Sequence, residues 1–297
     1  MSRRPFHTFL VILSIIAGGC HKQPAPIIIK PDIEKSHLER NHIFGLVKEI
    51  DSQSYLLRGD SLGIADTARI DELIATRTPD LTSTQRYTSD GFLTLYVKCD
   101  TRTMDTVIRQ YAYNKNAKIT EWQERSTRDT LRTMGRYLYD RNGFITGEQV
   151  FQGDSVVMAF AHTTDGIGNI IRTAQSFGDY TTRTETKYNE NGLVSKITEY
   201  EPNGKVFKTV TIEYDNYGDE VNRCAYKAGN QMIEYTYHLY SQNGRQLKTI
   251  YEDKIHNVKE HTFYFDFDSQ NNWQTEVKAI DNKIYSVRKR NIIYYPQ

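Results

Sequence analysis

Trp122 and Trp273, together with rows of tyrosine, carry flat faces of the kind on which a pyranose ring stacks, so they are the candidate glycan contacts. His256 and His261 fall five residues apart, but no Cys–His metal spacing exists and they read as solvated strand histidines. Asp165-Gly166-Ile167-Gly168-Asn169 has the glycines of a phosphate loop. No helix follows it, so the dipole that holds phosphate is missing and the segment reads as a turn. Asp140-Arg141-Asn142-Gly143 begins like a calcium loop, without the distal Glu and most of the oxygen ligands. Arg288-Lys289-Arg290 reads as an edge strand guarded by charge against pairing. Contact of that run with acidic lipid or lipopolysaccharide is the alternative. Neither Gly-x-Ser-x-Gly nor His-Glu-x-x-His occurs. No catalytic set emerges, so neither an enzyme nor a cofactor is expected. The contrary case is a hydrolase site assembled from scattered residues.

The chain has 297 residues, enough to bury a core in one large or two ordinary domains. Lys and Arg number 38 against 37 Asp and Glu. That balance argues against a basic nucleic-acid binder and an acidic disordered tail. Tyr contributes 21 residues against 12 Phe and 2 Trp. A tyrosine ring covers sheet surface while its hydroxyl stays wet, so a broad, thinly covered sheet suits this composition.

Arg3 and Arg4 precede a mostly apolar stretch from Phe6 to Ala17, too short to span a membrane and of signal-peptide length. It ends Ala17-Gly18-Gly19-Cys20, which resembles the lipobox of bacterial lipoproteins, with Ala17 where that family usually has Leu. The resemblance implies cleavage after residue 19 and acylation of Cys20, which becomes the mature N-terminus. Ser2-Arg3-Arg4-Pro5-Phe6 also looks like a twin-arginine signal. Residues 20–35, with Pro24, Pro26 and Pro31, then form a flexible tether. The expected address is the cell envelope, lipid-anchored at the outer membrane through Cys20. Cys99 and Cys224 lie 125 residues apart and are expected to be separate, buried free thiols.

Segment 36–86 reads as a lead-in with a short helix before Asn41, a first strand over Ile43 to Tyr55 and a helical turn or two at Ile70 to Thr76. From Tyr87 to the end, residues 87–297, the chain repeats itself. An aromatic precedes a four-residue turn at Tyr87, Tyr113, Tyr139, Tyr188, Tyr214, Tyr240 and Phe267, with Thr164 in the same place once. The intervals are 26, 26, 25, 24, 26, 26 and 27. Asp, Asn, Ser or Thr opens each turn and Gly91, Gly143, Gly168, Gly192, Gly218 or Gly244 closes most of them. The first supplies a side-chain acceptor and the last a positive φ, as in a type I turn with a G1 bulge. Looser turns lie halfway between, so each repeat is two strands. The predicted fold is all-β: an antiparallel hairpin-repeat meander of about 26-residue period, forming one large twisted or curled sheet.

Tyr139-Asp140-Arg141-Asn142-Gly143 and Tyr214-Asp215-Asn216-Tyr217-Gly218 resemble the YD repeats of bacterial RHS-type proteins. Asp268-Ser269-Gln270-Asn271-Asn272-Trp273 and the strand Val287 to Tyr295 are similar to the ending of YD-repeat lipoproteins of Bacteroidetes. The likeness spans about residues 41–295 and implies fold and envelope location only. Asp-Ser/Thr followed by Ala or an aliphatic residue looks like the O-glycosylation acceptor of Bacteroidetes envelope proteins. It occurs at Ser61, Thr67, Thr106, Thr130 and Ser155. The expected role is a binding or scaffold surface in the envelope, for an envelope protein or a glycan. A glycan-binding module using Tyr and Trp rows is the alternative.

Overall fold

The computed structural model describes residues 37–41, 43–57, 63 and 69–296. The leader 1–19, Cys20, the tether 20–35, Ser61 and Thr67 lie outside the described residues. Helix α1 covers His37–Arg40 and α2 covers Ile70–Ala75. The first six strands are β1 (Val47–Leu56), β2 (Leu81–Tyr87), β3 (Leu93–Asp100), β4 (Asp105–Tyr113), β5 (Ile119–Ser126) and β6 (Thr133–Tyr139). Next come β7 (Ile145–Gln152), β8 (Ser155–Thr164), β9 (Ile170–Phe177), β10 (Tyr180–Tyr188), β11 (Val194–Tyr200) and β12 (Val206–Tyr214). The last six are β13 (Glu220–Lys227), β14 (Met232–Tyr240), β15 (Gln246–Asp253), β16 (Val258–Phe267), β17 (Trp273–Ile280) and β18 (Lys283–Tyr294).

Each strand pairs antiparallel with its neighbour in sequence, as a hairpin meander must. The expected twisted or curled sheet is in fact closed, at one joint: β1 also pairs with β18, from Val47 opposite Tyr294 to Leu56 opposite Ser286. The strands that meet are β1, which precedes the repeats, and β18, which ends them. Eighteen strands spaced about 4.8 Å apart make a ring of roughly 28 Å mean diameter before any tilt widens it.

One rim carries the repeat turns. Asp140 shows the construction: its Oδ1 accepts from the backbone N–H of Asn142 and Phe144 at 2.9 and 2.8 Å. The Gly143 N–H donates to the Asp140 carbonyl, with Gly143 at φ +78°. Gly91, Gly168, Gly192, Gly218 and Gly244 hold the same place at positive φ, as do Asn271 and Ala117. At most of these turns the pairing register slips by one residue at the preceding aromatic. That is the bulge expected beside such a turn.

Those tyrosines face inward and tie the rim together. The hydroxyls of Tyr113, Tyr139, Tyr188, Tyr214 and Tyr240 donate to the carbonyls of Leu93, Ile119, Ile170, Val194 and Glu220, at 2.7–3.1 Å. Each acceptor is the first residue of the strand leaving the previous repeat turn. Thr164 and Phe267, which lack a phenol, stand where the series is interrupted. β1 starts and β18 ends at this same rim.

Three small cores lie against the wall, one of them Val210, Ile212, Ala225 and Ile233 on β12 to β14, and the other two on opposite faces. Inside, Leu38 of α1 packs with Val47, Ile50, Tyr87, Leu93 and Ile292. Outside, Ile70 and Ile74 of α2 cover Val277, Ala279, Ile284 and Val287. Elsewhere the outer face carries ion pairs among apolar and aromatic residues such as Phe263 and Phe265. Arg86 pairs with Glu49 at 2.5 Å, Arg136 with Glu121 at 3.3 Å, Arg172 with Glu185 at 3.3 Å and Lys259 with Glu252 at 2.8 Å. These pairs come from four sectors of the ring, at mid-wall as well as near its ends. A lipid-facing barrel needs an apolar outer band, and charges in it are costly.

Candidate functional site

A cleft of about 320 Å³ opens in the lumen between the wall and Asn41 and Ile43, which follow α1. Ser52, Ser83, Gln85, Tyr96, Gln246 and Tyr264 contribute neutral hydrogen-bonding groups, and Glu276, Arg288 and Arg290 the charges. These residues come from β15 to β18 and β1 to β3. Only the concave side of a closed wall brings seven consecutive strands to one cleft. Period-two alternation selects the residues: Arg288 and Arg290 point in, while Lys289 between them points out.

This overturns the edge-strand reading of Arg288-Lys289-Arg290. β18 is paired on both sides, with β17 and with β1, so it has no edge to guard. Lys289 bonds Asp71 at 2.6 Å on the outer face and pins α2 there. Arg288 pairs with Glu276 at 2.5 Å; the Glu276 carboxylate is 8% exposed. Arg288 Nε is buried without a hydrogen-bond partner. The Arg290 guanidinium sits over Trp273, its Cζ 3.5 Å from the ring centroid, and its Nε donates to the Trp273 carbonyl. Burial, then the like charge of Arg288, push the Arg290 pKa down to about 10. Burial and the Glu276 carboxylate raise the Tyr264 phenol, against the hydrogen bond with Thr249 and the charge of Arg288. Burial and Tyr111 raise Tyr96.

The two indoles are brought to the lumen, where sequence reasoning wanted them, but their faces are covered. Trp122 is 9% exposed. Arg109 sits 4.5 Å above its ring, Glu148 accepts from its Nε1 at 2.7 Å, and cross-strand Gly135 leaves the indole the space a Cβ would fill. Trp273 carries Arg290, with Arg288 at 5.1 Å and Tyr264 at 5.4 Å. Both indoles buttress arginines. Sequence reasoning missed Arg288 and Arg290 as one site; the signal was their i, i+2 spacing in a strand.

The remaining candidates are dispersed. Thr106, Thr130 and Ser155 all lie at the rim opposite the repeat turns, Thr130 and Ser155 exposed. His256 bonds Asp253 at 2.6 Å in a rim turn, whereas His261 stands on the outer face of β16. Among the described residues no group of His, Cys, Asp and Glu is placed to hold a metal. Cys99 and Cys224 are free and half-buried on β3 and β13, which are not neighbouring strands. Asp165 caps its own turn, accepting from the N–H of Ile167 and Asn169.

No protein-family model matches the chain. No curated protein matches it either. Among solved structures it is similar to a porin-like protein from Bacteroides uniformis, at 11% identity and TM-score 0.44, over 84% of this chain and 99% of that one. It is also similar to a chain of the TcdB2-TccC3-Cdc42 structure, at 11% identity and TM-score 0.33, over 69% of this chain. In that second case the match spans 14% of the other chain's length.

Proposed function

We propose that this protein is a lipid-anchored barrel of the cell envelope that works by binding, without catalysis, and that its binding site is the lumen. The observation that carries this reading is the division of labour in the wall. Its outer face is laced with exposed ion pairs, while its inner face holds a polar cleft containing two arginines and one carboxylate. In this reading Cys20 bears the lipid, and the short tether to α1 turns the repeat-turn rim toward the membrane. Thr106, Thr130 and Ser155, on the far rim, are then the O-glycosylated face. The test is fractionation of native cells with intact-mass analysis. Wild type should be retained with membranes and Cys20→Ala released. A native mass equal to the acylated polypeptide alone would remove glycosylation.

A scaffold for an envelope protein is the second reading, favoured by the outer face of β16. There Phe263 and Phe265 stack at 6.3 Å with Lys248 4.8 Å over Phe263. Cross-linking in native cells separates the two: a near-stoichiometric envelope protein supports the scaffold, whereas retained polysaccharide without a protein supports luminal binding.

A further inference from the structure

The described lining of the luminal cleft carries more positive than negative charge. Glu276 is the one carboxylate among its described lining residues, and it is spent on Arg288 at 2.5 Å. Arg290 makes no ion pair among the described residues; its one hydrogen bond there runs from Nε to the Trp273 carbonyl. Its two terminal nitrogens remain as donors on a planar fork, the geometry that matches a carboxylate. The fork is fixed in advance. Trp273 lies 3.5 Å beneath it and Tyr264 packs against Trp273 at 5.4 Å, so little rotamer freedom is left to lose on binding. Around it the cleft offers hydroxyls and amides: Ser52, Ser83, Gln85, Gln246, Tyr96 and Tyr264. Such groups both donate and accept, as a polyol requires.

We propose that this cleft binds an acidic saccharide, with Arg290 taking the carboxylate of a uronic-acid unit and the surrounding hydroxyls and amides taking its ring oxygens. This deepens the luminal-binding reading and rests on it. Among the described lining residues two guanidiniums face one carboxylate, a surplus of one positive charge that an added carboxylate neutralises; Asp268, outside the lining, already acts on Arg290, so a second negative charge would be in excess. A phosphate dianion would leave a surplus negative charge in a half-buried cleft, where an uncompensated ion is costly. An acidic peptide would supply the charge but few hydroxyls for Ser52, Ser83 and Gln85 to meet.

The experiment is calorimetric titration of the whole folded chain with four probes: trigalacturonate, neutral galactotriose, pentaglutamate and inorganic phosphate. Trigalacturonate should bind best. Arg290→Gln and Arg290→Lys should each weaken it about tenfold or more, because neither keeps the bidentate fork. Glu276→Gln should tighten it, an opposite effect that mere damage to the wall would not produce. Circular dichroism of each variant checks the fold. Equal binding of trigalacturonate and galactotriose overturns the carboxylate subsite and leaves luminal binding standing. Tighter binding of pentaglutamate overturns the saccharide, and phosphate binding as tightly as the uronate overturns the monoanion argument. Binding of no probe by folded wild type overturns this proposal and the luminal reading together.

Discussion

The hydroxyl of Tyr139 donates to the carbonyl of Ile119 at 2.7 Å, reaching back twenty residues to the first position of β5. The bond joins one repeat turn to the next on the inside of the rim. Tyr139→Phe removes the donor and leaves the ring in place. It should cost about 1 kcal/mol, the usual net worth of such a bond. The converse change, Phe267→Tyr, supplies a phenol where the series lacks one and should be neutral or stabilising. Urea denaturation of both variants checks the pair, with similar m-values required for the comparison.

Gly135 is a packing glycine. A Cβ there would stand 2.1 Å from Trp122 Nε1 and 2.4 Å from its Cε2, closer than any real contact. The indole cannot yield easily, since Arg109 covers its ring and Glu148 holds its Nε1. Gly135→Ala should destabilise the fold by about 2–3 kcal/mol, as overpacking does. A changed indole emission spectrum in the folded variant should report the displaced ring.

Gly143 and Ala117 fill the same place in two repeat turns, at φ +78° and +57°. An L-residue with a Cβ is strained there, and a β-branched one more so. Gly143→Val should therefore cost about 1–2 kcal/mol. Ala117→Gly relieves strain and loosens the unfolded chain, effects that oppose each other, so it should change stability by about 0.5 kcal/mol or less. Thermal melts of the two variants should move unequally, with only Gly143→Val showing a large fall.

Glu220 predicts an acid limit. Burial pushes its pKa up, but hydrogen bonds from His238 and Arg223, with their charges, overcome this and hold it near 2. A carboxylate depressed in the folded state contributes stability that is complete above its unfolded pKa of about 4.5. That contribution is lost as pH falls toward 2. Melting temperature should drop between pH 5 and pH 2, and Glu220→Gln should lower it at pH 7 while flattening that fall.

What could be read from the sequence was local. Asp140 opening a turn and Gly143 closing it depend on atoms within five residues, so their pattern showed both the period and the bulge. Closure depended on β1 meeting β18, a pairing with no local signature. The misreading of Arg288 and Arg290 followed from it, because a charged strand looks like an edge until its second partner is known. The covered faces of Trp122 and Trp273 were hidden for the same reason: Gly135, Arg109 and Arg290 reach them across strands. Asn272 shows the limit well. It sat in a recognisable ending, yet its work is to bond both the N–H and the carbonyl of Phe44, 228 residues away.

The β1–β18 joint also sets the order in which the wall can be assembled. Every other pairing joins strands adjacent in sequence, as Tyr139 and Ile145 do across a repeat turn, six residues apart. Val47 and Tyr294 are 247 apart. On a flexible chain that difference raises the entropy cost of closure by about 3 kcal/mol. Hairpins therefore zip first and the seam follows, the single slow, nonlocal step in an otherwise local folding reaction. Until it forms, the protein is a ribbon with two unpaired edges, each a template for another chain. Slow or crowded folding would lengthen that interval, and the seam is where a chaperone would have most to protect.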